Sequence, residues 1–341
     1  MSEIITIKLL NIESVDDQLN IHRAAFGEET GSASFRDFWI KKHYQNPLGA
    51  SLIFGALLDG QIVGMNAYMP VEYYVNGERI KMLQSCESGV LPSCQGKGIW
   101  KKVVTYALDY IKKETDYKLV IGFPNYINSY PGFKKMGWKT VCNMKNYVMI
   151  NNLRAFKDVF RQKNPFLRFA LNGIALQQLM CSLYKKREYF IEKSRVEELI
   201  WNNTNSGVLS CGHSPELLKW KEDYKELIPV CVKNGEKTVA TCLYSLSSYN
   251  GSVIIKLECF ECIAECARQS KSILASLFSY FAKHHKEAAF VRVWAQEDSR
   301  MAQLLKKLMF VGSSHPNPFI VNDPGSIYAD MQWSLSFFDL D

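Results

Sequence analysis

Between Ile99 and Ile111 the apolar residues fall at Ile99, Trp100, Val103, Val104, Ala107, Leu108 and Ile111, three or four apart, while Lys101, Lys102, Asp109, Lys112 and Lys113 take the positions between. That period gives an α-helix one apolar stripe and one charged face. Ahead of it, SLIFGALLDGQIVGMNAYMPVEYYVNGERIKMLQSCESGVL divides into three strands at Asp59-Gly60 and Asn76-Gly77, dipeptides that accept the positive φ of a tight hairpin turn. IITIKLL predicts a first strand, and SVDDQLNIHRAAF and SFRDFWIKKHY predict two helices before the hairpins. Beyond the striped helix come a buried strand, KLVIGF, a short helix ending in FKKMGW, and a strand through YVMI. Strands and helices thus alternate through the first 150 residues.

The same signature returns later in the chain. Gln95–Tyr110 (QGKGIWKKVVTYALDY) aligns with Gln269–His284 (QSKSILASLFSYFAKH), so that Ile99, Trp100, Val103 and Val104 fall on Ile273, Leu274, Leu277 and Phe278. KKMGW from Lys134 falls on KKLMF from Lys306, and the helix ending at Tyr44 falls on SPELLKWKEDY ending at Tyr224. Three anchors in one order indicate a duplicated α/β unit. The expected organisation is a first domain over 1–150, a helical connector over 151–205, and a second copy over 206–341.

Composition adds bounds. A chain of 341 residues with 47% hydrophobic residues has enough apolar material for two cores. The net charge of +7 favours anionic ligands in general, but the lysines are scattered, so nucleic acid is not an expected partner. Ten cysteines without a signal sequence at MSEIITIKLL point to a reducing, cytoplasmic setting rather than a disulfide framework. The tightest group, Cys259, Cys262 and Cys266, begins on a predicted strand, where a spacing of three points Cys259 and Cys262 to opposite faces, so no metal site is expected. PFLRFALNGIALQQLMCSLY is broken by Arg168, Asn172, Gln177 and Gln178 and reads as a packed amphipathic helix rather than a membrane span.

The glycines at the head of the striped helix carry the candidate chemistry. Gln95-Gly96-Lys97-Gly98 follows a strand ending at Val90-Leu91 and a turn at Pro92. Backbone N–H groups converge at the positive end of the coming helix, and glycine lets an anion approach them. Lys97, Lys101 and Lys102 add positive charge. A P-loop needs a Gly-Lys-Ser/Thr that is absent, and a dinucleotide fingerprint needs a third glycine where Lys101 stands. The other reading of the pair is a tight turn with close packing, and the glycines alone do not separate the two.

The order of strand, VLPSCQGKGIW, amphipathic helix, strand and FPNYINSYPGFKKMGW resembles the GCN5-related N-acetyltransferase (GNAT) family. The resemblance covers most of 1–150 and implies an α/β fold of two GNAT-like domains, each a mixed, mostly antiparallel central sheet flanked by helices, the second degenerate. It implies acetyl-CoA as co-substrate, with no metal. Main chain near Val90 would pair with the pantetheine arm, and the amides of Gln95, Gly96, Lys97, Gly98, Ile99 and Trp100 would hold the pyrophosphate, with Asn125 on the cofactor side. Two positions depart from the pattern. Trp100 stands where Gly or Ala is common, and Phe133 replaces the tyrosine often used as general acid, which leaves Tyr130 as the substitute. In the second copy both glycines are serines, Ser270 and Ser272, so that copy is expected to be a scaffold or an acceptor wall.

Direct transfer from a thioester to an amine needs a base and a proton for the leaving thiolate. Glu87, the acid on the strand leading to the loop, is the first candidate base; it reads equally as a strand-face charge paired with a lysine. SLSFFDLD reads as a terminal strand bringing Asp339, Asp341 and the chain-end carboxylate as a second candidate. Cys86 and Cys94 have no histidine near them in sequence and are read as packing residues. The expected activity is N-acetyl transfer to a small-molecule amine, an amino sugar by resemblance. The other classes are a non-catalytic CoA-binding module and an acyltransferase that works on a membrane surface through the Phe166–Tyr184 helix.

Overall fold

A computed structural model of the chain describes residues 4–27, 33–152, 154–155, 177, 179–186, 188–199, 201, 207–249, 251–325 and 327–340. The chain begins with β1 (Ile5–Leu10), α1 (Val15–Phe26), α2 (Ala33–Tyr44), β2 (Leu52–Leu58), β3 (Gln61–Val75) and β4 (Glu78–Val90). It continues through α3 (Ile99–Glu114), β5 (Val120–Gly122), α4 (Tyr130–Lys135) and β6 (Lys139–Ile150). After β7 (Tyr189–Lys193) and β8 (Val208–Cys211) come α5 (Pro215–Lys225), β9 (Ile228–Asn234), β10 (Lys237–Tyr249), β11 (Ser252–Cys262), α6 (Ser270–His284), β12 (Ala288–Gln296), α7 (Arg300–Lys307), β13 (Val311–Gly312) and β14 (Asn317–Asn322). The predicted hairpin turns are present: Asp59 and Gly60 take φ 50° and 81°, and Asn76 and Gly77 take 52° and 79°.

The chain forms two units. The first comprises Met1–Val141, Asn205–Gly212 and Pro318–Gln332; the second comprises Cys142–Thr204, His213–Asn317 and Trp333–Asp341. These bounds differ from a linear division at 150 and 205, and strand pairing is the reason. In the first unit β1, β2, β3 and β4 pair antiparallel in that order, β4 pairs parallel with β5, and β5 pairs antiparallel with β14. In the second, β7, β9, β10 and β11 pair antiparallel, β11 pairs parallel with β12, and β12 pairs antiparallel with β6. The strand orders of the two units match strand for strand, but β6 from the first half of the sequence completes the second unit's order and β14 from the second half completes the first's. β7 lies inside the stretch expected to be a connector; Ile191 pairs with Val232, which makes it an edge strand of the second unit.

Both helical repeats bury the stripes expected of them. Ile99, Val103, Val104, Ala107 and Ile111 of α3 are buried against Phe54, Tyr68, Leu83, Val120, Trp138 and Ile320. A separate cluster joins Val15, Leu19 and Ile21 of α1 and Trp39 of α2 to Ile53, Met65 and Ala67 of the sheet. In the second unit Leu274, Leu277, Phe278 and Phe281 of α6 pack with Tyr244, Ile255, Val291 and Leu305. The helix expected over Phe166–Tyr184 lies mostly outside the described residues, and no helix of the described residues is long and apolar enough to cross a membrane.

Candidate active site

β4 and β5 pair only from Leu83↔Val120 to Ser85↔Gly122, whereas β4 runs on to Val90. Along this stretch β4 keeps β3 on one side, and its other edge parts from β5. A bulge marks the parting. The register passes from Ala67↔Cys86 to Met65↔Gly89, so Glu87 and Ser88 both stand opposite Asn66, and Glu87 takes φ 48°. That left-handed conformation is strained for a residue with a side chain, and the surrounding bonds hold it. The Asn66 amide donates to Ser85 Oγ at 3.1 Å and its Oδ1 accepts from the Ser88 hydroxyl, bracketing the bulge on both sides.

The loop beyond β4 is tied back to the strand. The Leu91 N–H donates to the Val63 carbonyl at 2.9 Å, and Gln95 Nε2 donates to the Val90 carbonyl at 3.2 Å. Gly96 and Gly98 follow at φ 77° and 72°, and α3 starts at Ile99. A Cβ built on either glycine meets nothing within 4 Å. Close packing therefore does not account for them. They are needed for the left-handed turn, and they leave open space before the first N–H groups of a helix, which have no intrahelical partners. Val90, Gln95, Gly96, Lys97, Gly98, Ile99 and Trp100 are thus brought together at one helix N-terminus.

Trp100 serves a purpose the sequence did not disclose. Its ring meets Phe133 edge-on at 4.9 Å between centroids and covers Gly132, where a Cβ would lie 2.6 Å from it. The loop is in this way fastened to α4. Phe133 is buried and stacks edge-on with Trp138, so it fills a core position rather than the site. Asn125 precedes α4, and its Oδ1 accepts from the N–H groups of Ile127 and Asn128 at 3.0 and 3.1 Å, which shapes the loop. Tyr130 opens α4, with its hydroxyl 2.9 Å from Thr140 Oγ1 and its ring stacked on Tyr126.

Glu87 is paired with a lysine, the second of the two readings its position allowed. Lys42 Nζ of α2 donates to Oε1 at 2.6 Å, and His22 Nε2 of α1 lies 3.0 Å from Oε2. Burial disfavours the carboxylate, but the Lys42 ammonium and the bond from His22 outweigh it and hold the carboxyl well below the usual range. A carboxylate held this firmly is a weak proton acceptor. Neither partner carries a sequence signal, since they stand 45 and 65 residues away and meet Glu87 only through the packing of α1 and α2 on the sheet.

Residues 6–141 match the family model of the acetyltransferase (GNAT) domain. This stretch, the larger part of the first unit, is a GNAT domain. No curated protein sequence matches the chain. Among solved structures, a conserved protein from Enterococcus faecalis V583, described as a probable N-acyltransferase, is similar over 94% of this chain and 73% of its own at TM-score 0.65 and 11% identity. A GCN5-related glucosamine N-acetyltransferase region of a fungal multi-domain beta-N-acetylglucosaminidase is similar over 94% of this chain and 38% of its own, at TM-score 0.57 and 13% identity. Saccharomyces cerevisiae N-myristoyltransferase with bound myristoyl-CoA is similar over 95% and 83%, at TM-score 0.58 and 11% identity. At these identities the likeness is one of fold.

The second unit repeats the strand order of the GNAT domain without its loop. α6 begins at Ser270 after Gln269 at φ −95°, so Ser270 and Ser272, the counterparts of Gly96 and Gly98, are wound into the first helical turn. The edge left where β11 and β12 stop pairing, after Leu257↔Val293, is covered by the chain itself. SLSFFDLD, expected as a terminal strand, is here a 3₁₀ turn at Phe337–Asp339 that packs on both strands. Phe337 stacks on Trp294 at 5.7 Å with Arg292 over its ring, and Phe338 stacks on His213. Asp339 Oδ2 accepts from Ser336 N–H at 2.7 Å and from its hydroxyl at 3.1 Å, so this carboxylate caps the turn. Asp341 lies outside the described residues. His213 is also within 3.7 Å of Cys259 Sγ, a Cys–His pair that sequence proximity did not reveal. Burial, with Lys221 nearby, pushes the His213 imidazole down to about 3, so it is neutral near pH 7 and does not draw the thiol proton.

Proposed function

We propose that the chain transfers an acyl group from an acyl-CoA thioester directly to a small-molecule amine. The observation that carries this reading is the pair of left-handed glycines opening onto empty space at the positive end of α3, beside the parted edge of β4. Amides from Gln95 to Trp100 would hold the pyrophosphate, and the main chain at Val90 would pair with the pantetheine arm. Asn125 would lie on the cofactor side, Glu87 would serve the amine side, and Tyr130 would protonate the leaving thiolate. Acetyl-CoA is the first acyl donor to test; longer chains follow because a structurally similar protein carries myristoyl-CoA. Amino sugars head the acceptors because another similar structure is named a glucosamine N-acetyltransferase region.

A CoA-binding module without catalysis is the second reading, favoured by Phe133 in the core and by the Tyr130 hydroxyl already bonded to Thr140. Release of free thiol from acetyl-CoA and myristoyl-CoA, followed against glucosamine, nucleotide-linked amino sugars, aminoglycosides, polyamines and peptide N-termini, separates the two. Amine-dependent release supports the enzyme. CoA binding with no amine-dependent release across the panel supports the module.

A further inference from the structure

We propose that His22 is the proton acceptor for the attacking amine and that Glu87 is a positioning residue acting through it. The proposal rests on the acyl-transfer reading above and replaces Glu87 as the base within it.

His22 is 8% exposed and lies on α1 against the β4 bulge. Its Nε2 is 3.0 Å from Glu87 Oε2, and an ionised carboxylate only accepts, so the shared proton sits on Nε2. In the neutral ring the lone pair is then left on Nδ1. That atom is buried and has no hydrogen-bond partner among the described residues. A buried acceptor left without a donor costs free energy, which a bound N–H group would recover. An amine meets this need.

The ring is enclosed by one carboxylate and three aromatic side chains. Glu87 lies at Nε2, and the rings of Phe26, Phe35 and Trp39 surround the imidazole at 4.5, 5.1 and 5.2 Å between centroids. The other charged or titratable groups facing the pair are Lys42 and His43 of α2; Lys42 occupies Glu87 Oε1, and His43 Nδ1 is bonded to Ser51 Oγ at 2.9 Å. Glu87, with both oxygens engaged, cannot take a proton without breaking a buried contact, whereas His22 Nδ1 can take one without doing so.

The step balances. The substrate ammonium gives one proton to His22 Nδ1, and the freed lone pair forms the N–C bond at the thioester carbonyl. The C–S bond breaks to give thiolate, which takes a proton from the Tyr130 hydroxyl, and the second amine proton restores that hydroxyl. The imidazolium then returns its proton to solvent.

Nitrogen-15 NMR of the wild-type chain with CoA bound reads the tautomer directly, without reference to any acceptor. Near neutral pH, Nε2 should carry the proton and Nδ1 should be bare; a proton on Nδ1 overturns the proposal. Kinetics with acetyl-CoA and glucosamine give the second test. His22→Gln should lower kcat by about a hundredfold or more with unchanged CoA affinity, and should remove the acidic limb of kcat/KM against pH. Glu87→Gln should move that limb to lower pH, and Glu87→Asp should restore it, which loss of packing alone would not do. A wild-type rate in His22→Gln sinks the assignment of the base. Absence of amine-dependent thiol release in the wild type counts instead against acyl transfer, and the tautomer still decides the chemistry of His22.

Discussion

The indole of Trp100 occupies the place a side chain on Gly132 would need: a Cβ there comes within 2.6 Å of the ring. The aromatic residue at the end of the glycine loop and the glycine in α4 are one feature, and neither can be changed alone. Gly132→Ala should destabilise the first unit by about 1–3 kcal/mol through overpacking. It should also weaken CoA binding by moving Trp100 and the loop behind it. Adding Trp100→Leu should recover part of the stability, and equilibrium denaturation of the two singles and the double gives the coupling. Strictly additive losses would show that the two residues do not share the space.

Gly98 offers the opposite case. Its Cβ position is open, so Gly98→Val keeps the fold at a cost of about 1–2 kcal/mol for a left-handed residue. The branched side chain nevertheless fills the space before the α3 amides. Thermal melts with and without CoA should show a folded variant that gains no stabilisation. Full stabilisation by CoA would remove the anion-cradle reading.

The two units should be unequal toward CoA. Calorimetric titration of the intact chain should give one site, abolished by Gly98→Val and untouched by Ser272→Val, because Ser272 is already inside α6. Phe337→Ala should lower stability by about 3–5 kcal/mol, the usual cost of emptying a buried aromatic position, without creating a second site. Two equivalent sites would overturn the assignment.

His213 makes stability depend on pH. Its imidazole titrates near 6.5 when unfolded and at about 3 when folded. Between those values the unfolded chain binds the extra proton, so stability is complete above pH 6.5 and falls as pH is lowered. The carboxyl of Glu87, held well below the usual carboxylate range by Lys42 and His22, adds a loss only at more acid pH. Melting temperatures taken between pH 7 and about 5 should therefore decline in the wild type and stay flatter in His213→Phe. An equal slope in both would exclude His213 as the source.

Much of this protein is local chemistry that one stretch of sequence can state. The period of three and four from Ile99 to Ile111 determined a one-sided helix. Asp59-Gly60 and Asn76-Gly77 determined the hairpins, and Gly96 and Gly98 determined a left-handed entry into α3, because each depends on residues a few positions apart. The aligned stripes of α3 and α6 disclosed the duplication for the same reason.

Tertiary structure alone decided the rest. Which unit receives β6 and which receives β14 depends on open strand edges, and an apolar strand fits either edge as far as its own sequence tells. The bulge at Glu87 needs Asn66 from the neighbouring strand, and the charge state of Glu87 needs Lys42 and His22 from two helices. Phe337–Asp339 read as a strand because its alternation is apolar. It became a turn because β11 and β12 leave an edge to cover and Asp339 finds its bonds in Ser336. Pairing between distant residues obeys geometry that is created only when the chain folds, and for that reason the loop was legible in the sequence while the partners of Glu87 were not.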